Sequence, residues 1–152
     1  MNWDEYFLAI AETVRHKSKD TTKIGAVIVG PHHEIRSTGF NGFPRGIDEI
    51  QHPERWERPM KYKRVVHAEM NAILNAAYNG VSLAGCTLYL IGFGPPTVPC
   101  CECTKAIIQA GIRKIVGRSY MKTPPRWVED LEISLEMLTE AGVEFIEHKE
   151  VS

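Results

Sequence analysis

Apolar residues recur at helical and strand-like spacings along most of the 152-residue chain. Near the start they fall three or four positions apart, which predicts an amphipathic helix with one buried stripe: Trp3, Phe7, Ile10 and Val14. Short apolar patterns at 24–30 and 34–40 flank Pro31-His32-His33 and therefore predict a β-hairpin. The glycine-rich stretch from Gly39 to Gly46 is predicted to be a loop.

The second half of the chain alternates between helical and strand patterns, after a polar, proline-punctuated excursion at 48–64. Helical spacing covers three segments: 67–79, 104–110 and 128–138. Short apolar runs predict three strands: 86–92, 113–117 and 143–146. Because strands separated by helices need crossover connections, we expect the later strands to lie parallel, with helices on both faces of the sheet. The hairpin makes the sheet mixed, and the predicted class is α/β.

The composition is that of an ordinary globular domain, with 43% apolar and 24% charged residues. The formal charge of −1 argues against nucleic acid as a partner, because phosphate binding usually requires a basic excess. The first residues lack the basic segment and apolar run of a secretion signal, and no apolar stretch approaches the ~20 residues of a membrane span. We therefore expect one soluble domain over 1–152, located in the cytoplasm and without a membrane partner.

Basic residues nevertheless cluster in the middle of the chain. Six of them lie between positions 45 and 64: Arg45, Arg55, Arg58, Lys61, Lys63 and Arg64. Two interpretations stay open, a solvated face and a small phosphate-binding site.

The candidate chemistry lies in two short motifs, His67-Ala68-Glu69 and Pro99-Cys100-Cys101-Glu102-Cys103. An imidazole from His67 and thiolates from Cys100 and Cys103 supply three ligands for Zn²⁺ and leave a fourth position for water. Zinc lowers the pKa of such a water toward ~7, which provides a nucleophile at neutral pH. Glu69 is the candidate proton carrier, able to take a proton from water and pass it to a ring nitrogen and a leaving amine.

Each motif alone has other interpretations. A lone His-x-Glu is usually a helix start with a surface carboxylate, and a lone Cys-x-x-Cys fits structural zinc or redox exchange. A structural zinc would require a fourth protein ligand, for which Cys101 is badly spaced, while Cys86 is better interpreted as a buried strand residue. Together, however, the two motifs match the H-x-E and P-C-x-x-C pattern of zinc deaminases.

The wider sequence resembles the deoxycytidylate (dCMP) deaminase family within that superfamily. The resembling segments are Trp3-Asp4-Glu5-Tyr6-Phe7, Ser18-Lys19-Asp20, Gly25-Ala26-Val27, the Gly39 to Gly46 loop, Lys61-Tyr62, His67 through Leu74, and Ile107-Ile108-Gln109-Ala110-Gly111-Ile112. They span most of the chain. The zinc motifs are specific to the superfamily, whereas the glycine-rich loop and the Lys-Tyr pair indicate nucleotide substrates.

This resemblance implies a cytidine deaminase-like fold, a three-layer α/β/α sandwich with a mixed five-stranded sheet. It also implies hydrolysis of dCMP to dUMP and ammonia, which supplies dUMP for thymidylate synthesis, with one catalytic Zn²⁺ per subunit. Water would attack C4 of the cytosine while Glu69 protonates N3 and then the leaving amino group. Asn41 would lie near the sugar and the backbone of Ala68 against the base.

Further contacts and partners are expected on the same basis. Arg45, Arg58, Lys61 and Tyr62 are candidates for the 5′-phosphate site, each with ordinary surface placement as its alternative. Tyr120 and Trp127 are candidates to cover the base, with core packing or a subunit contact as the alternative. The resemblance also implies a homo-oligomer, often a hexamer, activated by dCTP with Mg²⁺ and inhibited by dTTP through the region of the Gly42 to Gly46 loop.

The chain departs from the family wording in the insertion 92–98, just before the cysteine motif. This loop is expected to border the leaving-amine side and to affect tolerance for groups at C5 of the ring. Alternative substrates are therefore 5-methyl or 5-hydroxymethyl dCMP, another nucleoside or base, and adenosine in tRNA, which the net charge disfavours. A zinc-binding protein without catalysis is the remaining alternative, and Glu69 argues against it.

Overall fold

A mixed five-stranded sheet forms the centre of the computed structural model, which describes residues 1–149. Its strands are β1 (Gly25–Val29), β2 (Ile35–Phe40), β3 (Thr87–Phe93), β4 (Lys114–Met121) and β5 (Glu144–Glu147). Their order across the sheet is β2-β1-β3-β4-β5. Strand β1 runs antiparallel to both of its neighbours, whereas β3, β4 and β5 are mutually parallel. The predicted hairpin and parallel half are thus both confirmed.

Helices cover both faces of this sheet. They are α1 (Trp3–Arg15), α2 (Met60–Arg64), α3 (Ala68–Asn79), α4 (Cys101–Ala110) and α5 (Val128–Glu140), with 3₁₀ turns at Pro53–Trp56 and Pro125–Trp127. Because side chains alternate along a strand, Ala26 and Ile28 of β1 join the apolar core beneath α3, α4 and α5. Val27 and Val29 face α1 instead. The result is the expected three-layer α/β/α sandwich.

Several elements extend beyond the limits predicted from sequence. Helix α4 begins at Cys101, three residues before the predicted start at Thr104, so the cysteine motif itself forms its first turn. Strand β4 continues to Met121, four residues beyond the predicted end at Gly117, because its backbone pairs with β3 as far as Phe93. The half-exposed residues there gave no apolar pattern for sequence analysis to detect.

The helices described in residues 1–149 include none with both the length and the apolar character needed to cross a membrane.

Close packing between α3 and β2 places the start of α3. A Cβ added at Gly39 would collide with the backbone oxygen of Ala68 and the backbone nitrogen of Ala72. The hydroxyl of Ser37 donates a hydrogen bond to the carbonyl of Ala72 at 2.6 Å. The first turn of α3, which carries the His-x-Glu motif, is therefore held against the edge of the sheet.

We predict that Gly39→Ala lowers the free energy of unfolding by about 1–3 kcal/mol, because the new methyl group has only rigid backbone to displace. Urea denaturation of the zinc-loaded protein measures this loss. Gly30→Ala is the matched control, since the atoms nearest to its added methyl belong to the exposed side chain of Glu34 and not to backbone. Equal losses for both variants would contradict the proposed packing constraint.

Candidate metal centre and active-site pocket

The N-termini of two helices meet beside the sheet, and each presents a candidate metal ligand. His67 is the N-cap residue of α3 and Cys100 is that of α4, and neither helix has a side-chain cap of its own. Nδ1 of His67 lies 3.3 Å from Sγ of Cys100 and 3.6 Å from Sγ of Cys103. The three ligand atoms all lie within 4.8 Å of one another. The fold thus brings together the three residues that the sequence predicts as ligands.

This arrangement fits zinc in both chemistry and spacing. Two thiols and one imidazole form a donor set that Zn²⁺ commonly takes. Tetrahedral coordination with ordinary bond lengths separates an imidazole nitrogen from a thiolate sulfur by about 3.6 Å. The two distances from His67 agree with that separation to a few tenths of an ångström. The site would therefore hold the ion with little movement of its ligands.

The three candidate ligands of this cluster have differently shifted pKa values. Hydrogen bonds from Cys103 and from His67 lower the pKa of Cys100 to about 4. The hydrogen bond to Cys100 in turn raises the pKa of His67 to about 9, and the pKa of Cys103 is raised as well. The positive ends of the two helices also favour a thiolate at this point. A metal ion would meet one thiolate already formed and would displace the remaining protons.

Glu69 is buried beside the cluster in the first turn of α3, with only 6% of its surface exposed. Burial raises the pKa of its carboxyl group to about 7. A group with this pKa can both accept and donate a proton at neutral pH, which is what an acid–base catalyst requires.

Two side chains of helix α5 form hydrogen bonds to the turn that carries Cys100. The carboxylate of Asp130 accepts a hydrogen bond from the backbone N–H of Cys101 at 3.0 Å and so caps α4 from outside. Four residues further along α5, the hydroxyl of Ser134 donates to the carbonyl of Pro99 at 2.7 Å. Neither residue can be identified from the sequence alone, because nothing in the local pattern of α5 indicates which loop it contacts.

The cluster opens into a pocket whose mouth is open to solvent. Trp127 forms part of its wall, with its ring edge-on to the His67 ring and the two centroids 6.2 Å apart. Phe93, Thr97 and Val98 complete this side, so the 92–98 loop belongs to the pocket. One wall next to the metal cluster is therefore largely apolar.

Five of the candidate substrate residues line this pocket: Asn41, Arg58, Lys61, Tyr62 and Ala68. The amide of Asn41 is already engaged there. Its Oδ1 accepts a hydrogen bond from the backbone N–H of Ile24 at 2.9 Å, and its Nδ2 donates to the carbonyl of Thr22 at 2.7 Å. Asn41 thus fixes the shape of the wall on which it lies.

Lys61 differs from the free phosphate cation expected from sequence. Its ammonium group lies 2.9 Å from the carboxylate of Asp20, and both side chains are largely buried. Asp20 therefore neutralises this charge at the pocket wall. Within residues 1–149, the pocket-lining arginines without an ion pair are Arg58 and Arg126. Arg126 was missed because it stands in a proline-rich turn far from the basic cluster in the sequence.

Arg45 and Tyr120 lie outside this pocket, contrary to the expectation that they contact substrate there. The guanidinium of Arg45 lies over the ring of Tyr78, 4.6 Å from its centroid, on the outer side of α3. Tyr120 accepts a hydrogen bond from the backbone N–H of Lys23, with the guanidinium of Arg15 over its ring at 3.9 Å. Tyr120 is thus directed toward α1, and the aromatic wall is supplied by Trp127.

Comparison with known proteins supports the zinc chemistry. Residues 1–118 match the family model described as the cytidine and deoxycytidylate deaminase zinc-binding region. The chain belongs to this family.

Named relatives extend this similarity beyond the matched region. The chain is 42% identical to a deoxycytidylate deaminase of Enterobacteria phage T4, over 90% of this chain and 85% of that protein. It is 40% identical to a deoxycytidylate deaminase of Pongo abelii, over 78% of this chain but only 66% of that longer protein. Among solved structures, it resembles the dCMP deaminase of cyanophage S-TIM5 in complex with dCMP and dUMP, with a TM-score of 0.71 and 27% identity. That similarity covers 95% of both chains.

We predict that Asp130→Ala weakens zinc affinity by about 10–100-fold, because the Cys100 turn loses its cap. Competition with a chromogenic chelator measures the affinity. Asp130→Asn, which keeps an oxygen acceptor, should recover most of it, and Glu132→Ala, an exposed change on the same helix, should have no effect. Wild-type zinc affinity in Asp130→Ala would show that the hydrogen bond from Asp130 does not position Cys100.

Proposed function

We propose that the protein is a zinc-dependent hydrolase that acts on the cyclic amidine C–N bond of dCMP and releases dUMP and ammonia. The observation that carries this proposal is one pocket lined by both metal ligands and arginines. His67, Cys100 and the buried Glu69 line it. Arg58 and Arg126 line it as well, and neither has an ion pair within residues 1–149. The named deaminase relatives, and the cyanophage enzyme solved with dCMP and dUMP, support the same substrate.

The residues of this chain divide the reaction between them. His67 and the two cysteines would hold zinc, which would lower the pKa of a bound water toward ~7. Glu69, whose pKa is about 7, takes a proton from the attacking water and delivers it to N3 of the cytosine. It then takes the hydroxyl proton of the tetrahedral adduct at C4 and delivers it to the leaving amino group, so that dUMP and ammonia are released. Trp127 and Phe93 exclude bulk water from this end of the pocket. The backbone of Ala68, at the start of α3, contacts the base.

The two arginines of the pocket favour a nucleotide as substrate. Arg58 and Arg126 line the pocket and have no ion pair among the described residues, and the guanidinium of Arg58 lies 5.9 Å from the centroid of the Tyr62 ring. A guanidinium binds the oxygens of a phosphate through parallel hydrogen bonds. We assign the 5′-phosphate to these two arginines, with the Tyr62 hydroxyl as a further donor.

We predict faster ammonia release from dCMP than from deoxycytidine. Arg126→Ala should raise KM for dCMP by about 10–100-fold, the worth of one charge-assisted hydrogen bond, and leave kcat/KM for deoxycytidine unchanged. Lys122→Ala, which removes an exposed cation outside the pocket, is the control. A wild-type preference for the nucleoside would contradict the proposed phosphate site.

We predict that Glu69→Gln retains stoichiometric zinc but lowers kcat by about 10²–10⁴-fold, because the amide cannot carry a proton. Metal analysis and ammonia release are measured on the same preparation. Glu102→Gln alters an exposed carboxylate in the cysteine motif and should leave both quantities unchanged. Substantial turnover by a fully metallated Glu69→Gln protein would refute the proposed proton carrier.

The proposal extends to assembly and control. We propose a single domain over 1–152 with one zinc per subunit, which acts in the cytoplasm as a homo-oligomer, with a hexamer as the proposed form. We also propose dCTP with Mg²⁺ and dTTP as effectors. An exposed apolar pair on α3, Leu74 and Tyr78, supports association, and free cysteines support a reducing compartment.

Deamination of a 5-substituted dCMP is a second candidate function, favoured by the position of the 92–98 loop in the pocket.

A further inference from the structure

The 92–98 loop is held in place by one carboxylate from the far edge of the sheet. Oε1 of Glu147, on β5, accepts a hydrogen bond from the backbone N–H of Thr97 at 2.7 Å. Oε2 of the same carboxylate accepts a second hydrogen bond, from the Thr97 hydroxyl, at 2.8 Å. Thr97 is only 1% exposed, while Glu147 is partly buried. Two short bonds to a carboxylate fix the loop more firmly than either bond would alone.

The strand beside Glu147 is shaped to receive this loop. Gly117 of β4 is paired directly with Glu147 in the parallel ladder. A Cβ added at Gly117 would collide with the carbonyl oxygen of Thr97 and lie 2.8 Å from its Cβ. The loop backbone therefore lies directly on β4, at the point where the neighbouring strand provides the carboxylate.

The loop fixed in this way forms part of the pocket wall and leads directly into a metal ligand. Thr97 and Val98 line the pocket and are followed at once by Pro99 and Cys100. In the proposed reaction, C4 of the cytosine must lie at the metal, with N3 and C5 one bond away on either side. Since Glu69 serves N3, C5 lies on the side of the ring away from Glu69, and we assign the loop wall to that side.

We propose that Glu147 is a positioning residue for substrate selection: by holding Thr97, it sets the wall that C5 of the pyrimidine meets. Glu147 is absent from the pocket lining, so it acts through the loop and does not touch the substrate. This inference rests on the proposed dCMP deaminase function. Its chemical consequence is discrimination between dCMP and dCMP carrying a substituent at C5.

The test compares zinc-loaded wild-type protein with Glu147→Ala and Thr97→Val, which retains the shape of Thr97 but lacks its hydroxyl. We expect the ratio of kcat/KM for 5-methyl-dCMP to that for dCMP to rise by about tenfold, since one methyl group in a fitted pocket is worth roughly 10–200-fold. Amide hydrogen exchange at Thr97 should accelerate in Glu147→Ala. A merely unstable variant would lose activity toward both substrates equally and leave their ratio unchanged.

Two controls make the result specific. Glu147→Gln keeps an oxygen that can accept from the Thr97 N–H and should retain most of the wild-type discrimination, and Glu144→Ala removes an exposed carboxylate from the same strand without touching the loop. An unchanged substrate ratio, or an unchanged exchange rate at Thr97, would overturn the role of Glu147. Failure of the wild-type protein to deaminate either nucleotide would instead overturn the proposed function, and with it this role.

Discussion

The convergence of two helix N-termini on one point is the constraint on which the rest of the structure depends. The ligands His67 and Cys100 are 33 residues apart in the chain, and they meet because α3 and α4 both begin at the same side of the sheet. At neither helix end does the side chain of the N-cap residue bond to its own helix, and the positive potential of the two ends favours thiolates. Zinc would join the two helices and thereby complete the architecture as well as the chemistry.

Many of the contacts that hold the metal ligands in place come from the C-terminal part of the chain. The family match ends at residue 118, yet α5 clasps the cysteine turn through Asp130 and Ser134, and β5 holds the adjoining loop through Glu147. The pocket wall also receives Trp127 from this region. The catalytic motifs are thus shared with the family, while the surroundings that orient them and shape the pocket lie partly in a segment outside the matched region.

Sequence patterns predicted the element types, the mixed sheet and the proximity of the two motifs, because local periodicity and crossover rules determine these features. They did not predict which basic side chains form ion pairs. Lys61 looked like a phosphate ligand, but Asp20, 41 residues earlier, neutralises it in a buried ion pair. For the same reason, Arg126 was not predicted to line the pocket, and Trp127 was only one of two aromatic candidates to cover the base. Contacts between residues that are distant in sequence leave no periodic signal, so only the folded structure shows which side chains are in contact.

The central claim is that two helix N-termini form a three-ligand zinc site with one open position. X-ray absorption spectroscopy at the zinc edge of the purified, substrate-free protein measures the ligand shell directly. The account predicts two sulfur ligands at about 2.3 Å and two lighter ligands at about 2.0–2.1 Å, one from His67 and one from water. A shell containing three or four sulfurs would contradict it, because the site would then be closed and structural.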